Sequence, residues 1–407
     1  VIDRRWLAAA LVVATGVIVI ALAAGPRRTA LWRTVYPHLP RHLQAAPYVL
    51  LARVDPRSAS PVPLPTALAP QGVDASRALP LPSPSKAVAT ADAPVELALP
   101  PEIALGRVHH EYQTWNNCGP ATISMALSYF GHAGGQAAAA RRLKPDPNDK
   151  NVSPQELARY AGEEGFGAIV RINGRLDLLK RLLALGLPVV VETWFVPEPG
   201  DEMGHYRVLT GYSDQDGRFI AADSYNGPEV SLTYEEFDDL WRVFDRVYVV
   251  VYPPELQGLA HGAIGEDVDD ATMYRAAVQR AQQEVTATGD VFGWFNMGTA
   301  LLGLGDTAGA SSAYDRARAQ GLPWRMLWYQ HGPFEAYSAE GRWEDVAALA
   351  QANLANASNL EESHYWLGRA RAARGDIEGA RASWQRAQEL NPLYEAAAEA
   401  LRASEAR

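Results

Sequence analysis

The apolar positions change character along the chain, and each change marks a different kind of segment. From Trp6 to Gly25 they form a charge-free run, WLAAALVVATGVIVIALAAG, with Arg4 and Arg5 before it and Arg27 and Arg28 after it. A run of about 20 apolar residues matches the hydrocarbon thickness of a bilayer. Its terminal position predicts a signal anchor or signal peptide over 1–25. The run is long for the h-region of a signal peptide, which favours an uncleaved anchor. That places a single-pass helix in the cell membrane with the bulk of the chain extracytoplasmic. Cleavage after Ala21–Ala23 would instead give a secreted chain. From 26 to 101 the periodicity vanishes, and Pro, Ala and Ser dominate stretches such as RSASPVPLPTALAP. Such prolines favour extended backbone and remove donors, so a Pro/Ala-rich, largely disordered linker is expected there.

Helical and strand periods then alternate over 102–253. VSPQELARYAGEEG has Ser153 placed as N-cap, Pro154 at the first helical position and Glu156 to complete a capping box. Gly165 is placed to end that helix. FGAIVRI reads as a strand, RLDLLKRLLALG as a helix stopped by Gly186, and PVVVETWF as a second strand. HYRVLTGYSDQDGRFIAADS reads as a hairpin turning at Asp214–Gly217. TYEEFDDLW is a short helix and RVYVVVYP a last strand. Helices first and antiparallel strands later make this an α+β domain.

After a linker over 254–269, strand signals disappear. GLGDTAGASSAYDRARAQGLP, AEGRWEDVAALAQANLANASN and ARGDIEGARASWQRAQELNP align on Gly305, Gly341 and Gly375, at intervals of 36 and 34 residues. Gly298 and Gly368 each precede the turn glycine by seven, and Tyr314 corresponds to Trp384. The middle unit has Phe334 where the others have that earlier glycine. A period near 34 residues resembles tetratricopeptide repeats, so 270–407 is expected to be an all-α helical-repeat domain with a capping helix at ATMYRAAVQRAQQEV.

Composition narrows the function. The net charge of -10 over 407 residues carries no basic stripe, which argues against a nucleic-acid partner. Cys118 is the single cysteine, so no internal disulfide can form. It lies in EYQTWNNCGPATISMAL, where Ile123, Ala126, Leu127 and Phe130 mark one buried helical face. Pro120 suits the first turn. The thiol therefore stands at or just before a helix N-terminus, where unpaired amides and the helix dipole favour the thiolate. The polar TWNN before it argues against a merely buried sulfur.

A thiolate nucleophile needs a base. His109, His110 and His132 fall in loops, whereas His205 opens the strand HYRVLTGY and is held more rigidly. Asp223, in the partner strand, could orient the imidazole, with Asn226 as the alternative. A two-residue turn would pair Asp223 with Val208 and place it on the face opposite to His205. A three-residue loop ending at Gly217 would pair it with Leu209, on the His205 face but four positions away. An odd-length loop or a bulge, with Gly217 left-handed, is therefore expected. Gln113 could donate to a developing oxyanion together with the Cys118 amide. DQDG lacks the later ligands of a calcium loop and reads as a turn, and no metal or cofactor is called for.

The ordered set YQTWNNCGPATISMAL, VSPQELARYAGEEG, GLPVVVETW, GHYRVLTGY and FIAADSYNG resembles the C39-like cysteine peptidases, a branch of the papain-like fold, over about 102–252. The resemblance implies Cys118 as nucleophile, His205 as base, Asp223 as orienting acid and Gln113 as oxyanion-hole donor. The family's aspartate is often followed by proline, whereas Ser224 follows here. The implied activity is peptide-bond hydrolysis on a peptide or protein substrate, with the repeats recruiting a substrate or partner protein. A catalytically silent peptide-binding scaffold and a thiol acyltransferase using the same residues are the alternatives.

Overall fold

The computed structural model describes residues 61–67, 99–146, 148–196 and 201–405. The apolar run over 1–25 and most of the 26–101 linker lie outside the described residues. Among those described, no helix is long and apolar enough to cross a membrane.

The first half is built around one antiparallel sheet. Its strands are β1 (Glu102–Ala104), β2 (Gly167–Arg171), β3 (Val189–Phe195), β4 (Met203–Ser213), β5 (Arg218–Asp223), β6 (Gly227–Thr233) and β7 (Tyr248–Tyr252). They run in the order β2-β7-β3-β4-β5-β6, with β1 pairing onto β4. The alternation of side chains along β3 and β4 builds a separate core on each face. Val190, Tyr206 and Val208 join Ala222 and Val249 beneath α1 (Cys118–Ser128), α2 (Gln136–Leu143) and α3 (Pro154–Glu163). Val189, Val191 and Leu209 join Tyr248 and Val250 beneath α4 (Leu176–Ala184) and α5 (Tyr234–Trp241). Local signals set the ends of these helices. Ser153 Oγ accepts from the Glu156 amide at 3.2 Å, and Glu156 Oε2 accepts from the Ser153 amide at 2.8 Å. Gly186 stops α4 at φ +76, a backbone that costs little only without a Cβ. An α+β layer architecture of this kind agrees with the pattern read from the sequence.

Residues 254–269, expected to be a linker, instead fold. They hold α6 (Gln257–Ile264), whose Ala260, Ala263 and Ile264 join the α4–α5 core. The short apolar face pays its ordering entropy by covering the end of the sheet, where a free linker would leave it wet.

The second half is helical throughout. A long helix, α7 (Asp270–Ala287), precedes three helix pairs: α8 (Val291–Gly303) with α9 (Thr307–Gln320), α11 (Gly332–Ala339) with α12 (Trp343–Asn356), and α13 (Glu361–Ala373) with α14 (Ile377–Leu390). Between α9 and α11 lies one short turn, α10 (Met326–Tyr329), and α15 (Glu395–Glu405) closes the described chain. Gly305, Gly341 and Gly375, the three aligned glycines, all turn between paired helices at positive φ. Gly298 and Gly368 are crossing points: a Cβ would stand 2.6 Å from the Tyr314 ring and 2.4 Å from Trp384 Nε1, respectively.

The two halves share a core. Trp194, Val243, Phe244 and Val247 of the sheet half pack with Ala277, Phe295, Met297 and Leu327 of the helical half. Arg242 pairs with Asp290 at 2.5 Å, and Arg246 pairs with Glu284 at 2.8 Å. The described residues from 61 to 405 accordingly belong to one compact unit.

Candidate active site

Cys118 is the first residue of α1, with Asn117 as N-cap. The turn before it is tightly held. Asn116 has φ +56, and the buried Lys144 ammonium donates to its carbonyl at 2.5 Å. Asn117 Nδ2 donates to Thr114 Oγ1 at 2.7 Å. Gln136, at the start of α2, accepts from the Thr114 amide at 2.8 Å and donates to the Tyr112 carbonyl at 2.7 Å. These bonds fix the loop, so the half-buried thiol is placed by structure on both sides of it.

His205 is buried in β4, and its Nε2 meets Asp223 Oδ1 at 2.9 Å. Its ring also hydrogen-bonds the Cys118 sulfur. Since Nε2 is taken by Asp223, the nitrogen facing the sulfur is Nδ1. Burial pushes the Cys118 thiol up, but the His205 hydrogen bond and charge, the Lys144 charge and the Tyr206 amide together bring it below its ordinary range. Burial alone would lower His205. The Asp223 charge and hydrogen bond overcome this and raise it to about 9. Both shifts favour a thiolate–imidazolium pair, with the proton on the imidazole.

Asp223 has no solvent exposure and is heavily bonded. Oδ1 accepts from His205 and from the Tyr225 and Asn226 amides at 2.8 and 2.9 Å. Oδ2 accepts from Arg207 Nε at 2.8 Å and Asn226 Nδ2 at 3.1 Å. Burial would raise this carboxyl, yet the His205 and Arg207 charges hold it far below the usual carboxylate range. Asn226, weighed as an alternative to Asp223, thus grips the carboxylate that meets His205.

The register that brings Asp223 to His205 rests on a bulge, one of the two devices expected from the sequence, rather than on an odd-length loop. Ser213 pairs with Arg218, so the hairpin loop is the even-numbered Asp214–Gly217, with Gly217 left-handed at φ +64. A bulge at Thr210 then shifts the pairing: Gly211 faces Ile220, but Leu209 faces Ala221 and Val208 faces Ala222. Continuing that register sets Asp223 opposite Arg207, two positions from His205 and on its face. Without the bulge Asp223 would oppose Val208 and point to the other core.

Gln113 reaches the same corner. Its amide N–H donates to the Ser224 carbonyl at 2.8 Å, and Ser224 Oγ donates to Gln113 Oε1 at 2.8 Å. The carbonyl end of the side chain is thereby oriented, which directs the NH2 end away from Ser224. Ser224, standing where the related aspartate motif often has proline, supplies that contact. His110, read as a loop residue, meets the Asp223 carbonyl through Nε2 at 2.9 Å.

Three contributors carried no sequence signal of their own. Arg207 and Lys144, which no motif singles out, are buried. Glu192, opposite Tyr206 in register, is also buried. Burial and then the Cys118 charge push its carboxyl well above the ordinary range. The helical half reaches the rim as well. Arg325 pairs with Asp201 at 2.6 Å and donates to the Glu202 carbonyl at 3.1 Å, bracing the segment that leads into β4. At Gly204, a Cβ would stand 3.0 Å from Tyr329 Cδ1 and 3.1 Å from Glu192 Oε1, so this neighbour of His205 must be small. Among the described residues, no group of three or more His, Cys, Asp or Glu could hold a metal ion.

Residues 106–249 match the family model described as the Peptidase_C39 like family, which supports a C39-like peptidase domain in this part of the chain. Among solved structures, a putative C39-like peptidase from Bacillus anthracis is 18% identical, with a TM-score of 0.32, covering 37% of this chain and 96% of its own. The peptidase domain of Streptococcus ComA, a bi-functional ABC transporter involved in a quorum-sensing pathway, is 18% identical with a TM-score of 0.30, covering 36% and 98%. A double glycine motif protease from an AMS/PCAT transporter, solved in complex with the leader peptide, is 16% identical with a TM-score of 0.28, covering 37% and 97%. No curated protein matches the sequence.

Proposed function

We propose that the C39-like domain at 106–249 makes this chain a cysteine peptidase, with Cys118 as nucleophile, His205 as general acid and base, Asp223 as orienting carboxylate and Gln113 as oxyanion donor. The single observation behind this reading is the continuous contact from the Cys118 sulfur through His205 to the buried Asp223, with His205 raised to about 9.

The thiolate attacks the scissile carbonyl carbon and forms a C–S bond. Negative charge moves to the carbonyl oxygen, where the Gln113 side-chain NH2 and the Cys118 amide at the helix start are the donors. Collapse breaks the C–N bond as His205 Nδ1 passes its proton to the leaving amine. Water then attacks the thioester, gives its proton to His205 and releases the acid, which restores the thiolate–imidazolium pair. Asp223 stays ionised and keeps the ring aimed at the sulfur.

The substrate is a peptide or protein. The apolar run over 1–25 holds the activity at a membrane with the bulk extracytoplasmic. The helix pairs over 270–407, of tetratricopeptide type, recruit a substrate or partner protein.

Labelling of the full chain with an electrophilic peptide-like probe, followed by mass spectrometry, tests the chemistry. Wild type is expected to label at Cys118 at neutral pH, with His205→Ala slowed about 100-fold or more, in line with the usual weight of a positioned acid–base group. A peptide library should be cut by wild type and left intact by Cys118→Ala. Equal labelling of wild type and His205→Ala, or cleavage that survives in Cys118→Ala, refutes the assignment.

A further inference from the structure

One stretch of the linker is held by the helical half. Residues 61–67, PVPLPTA, run without helix or strand, and their alternating prolines favour extended backbone. The Val62 amide donates to Asn356 Oδ1 at 2.9 Å, while Asn356 Nδ2 donates to the Val62 carbonyl at 2.8 Å. One side-chain amide thus reads both polar groups of one residue, as a neighbouring strand would. Three and four residues on, Arg318 Nε donates to the Pro65 carbonyl at 3.0 Å and Nη2 to the Thr66 carbonyl at 3.1 Å. Arg318 is itself buried and pinned by Asp345 Oδ1 at 2.7 Å, so its fork is set before the segment arrives. Leu64, between these two grips, packs into the core of the helical half.

The chemistry of this site defines its ligand. The contacts fall on backbone, so they require an extended chain with a free N–H at the position of Val62. Prolines at 61, 63 and 65 have no N–H to leave unpaired and hold the chain extended in advance, which lowers the entropy of docking. Leu64 supplies the apolar anchor. The linker contains this pattern twice: Val62-Pro63-Leu64-Pro65-Thr66 recurs as Leu79-Pro80-Leu81-Pro82-Ser83.

We infer that Arg318, Asn356 and the apolar surface between them form a binding site for extended peptides of the type aliphatic-Pro-Leu-Pro-Ser/Thr, occupied in cis by residues 61–67 of the chain's own linker. The site is separate from Cys118, and its occupancy does not depend on chemistry there. Because the ligand is tethered, it competes at a high effective concentration against the same sequence offered in trans.

The test is fluorescence anisotropy with a labelled synthetic peptide spanning residues 59–70. The receptor is the full chain in which residues 61–67 and 79–83 are replaced by Gly/Ser of equal length. This emptied chain is expected to bind the peptide at least about tenfold more tightly than wild type, whose site is filled. Asn356→Ala in the emptied chain should weaken binding about tenfold or more through loss of the paired bonds. A peptide carrying Leu64→Asp leaves the receptor's fold untouched and should not bind. The unlabelled peptide of residues 78–85 should compete. Failure of the 59–70 peptide to bind the emptied chain, equal binding to wild type, or indifference to Leu64→Asp each overturns the site. Failure of 78–85 to compete overturns the assigned ligand class.

Discussion

Replacing Asp223 by Asn changes one charge at nearly constant shape, and the structure gives the consequence a size. Asp223 is what lifts His205 to about 9 against its burial. Removing that charge leaves burial in control, so His205 should titrate at or below the ordinary value near 6.5. The interval is worth about 3 kcal/mol of differential interaction with the imidazolium. The sign follows from linkage: a raised imidazole stabilises the fold fully below 6.5, and that contribution disappears as the pH rises through about 9. Two probes separate the groups. Iodoacetamide needs only the thiolate, whereas an epoxide must also be protonated as its ring opens. The wild-type epoxide rate should be bell-shaped, rising at a pH below the ordinary thiol range and falling near 9. In Asp223→Asn the falling limb should move to 6.5 or lower, and the rate at pH 8 should drop roughly 30-fold, the ratio of protonated fractions. The iodoacetamide profile should meanwhile shift upward, because the thiolate loses its cationic partner. Circular dichroism establishes that the variant is folded. A folded Asp223→Asn protein whose epoxide profile still falls near 9 would show that Asp223 does not hold the proton on His205.

Other perturbations probe different links of the same structure. Lys144→Met removes a buried cation that faces the thiol; the iodoacetamide profile should move to higher pH, and an unchanged inflection would exclude Lys144 from the site's electrostatics. Deleting Thr210 takes out the unpaired residue but keeps Leu209 opposite Ala221, so Asp223 stays on the His205 face; epoxide labelling should survive in a folded deletion variant, and its loss there would mean that the pairing on the His205 side of the bulge is not the one that places Asp223. Gly368→Ala places a Cβ 2.4 Å from Trp384 Nε1; denaturant unfolding should show a loss of about 1–3 kcal/mol, typical of overpacking, and a stable variant would mean that the helices can part at no cost.

Periods and caps were legible because they are local. The Ser153 capping box, the stop at Gly186 and the turn glycines at 305, 341 and 375 each depend on residues within one or two turns, and the structure has them where the pattern placed them. Cys118 was marked by its own neighbours, since a helix start is a local feature. Lys144, Arg207 and Glu192 were not legible. Nothing within a few residues of any of them tells whether the fold will bury it, and it is burial that brings the Lys144 charge to bear on the thiol and the Arg207 charge on Asp223. The 254–269 segment was misread for the same reason: its short apolar face means little until a sheet end lies beside it.

The sequence by itself determined the succession of segments, the two faces of the sheet and the identity of a thiol at a helix start, all of which follow from side-chain period and from backbone preferences of Gly, Pro and Ser. Only the tertiary structure decided that Asp223 and His205 meet, because one extra residue at Thr210 reverses which face a strand presents and no local pattern counts such a residue. It also decided that seven residues of a proline-rich linker lie ordered against Asn356 and Arg318, since an extended segment without internal bonds takes its order entirely from what it touches.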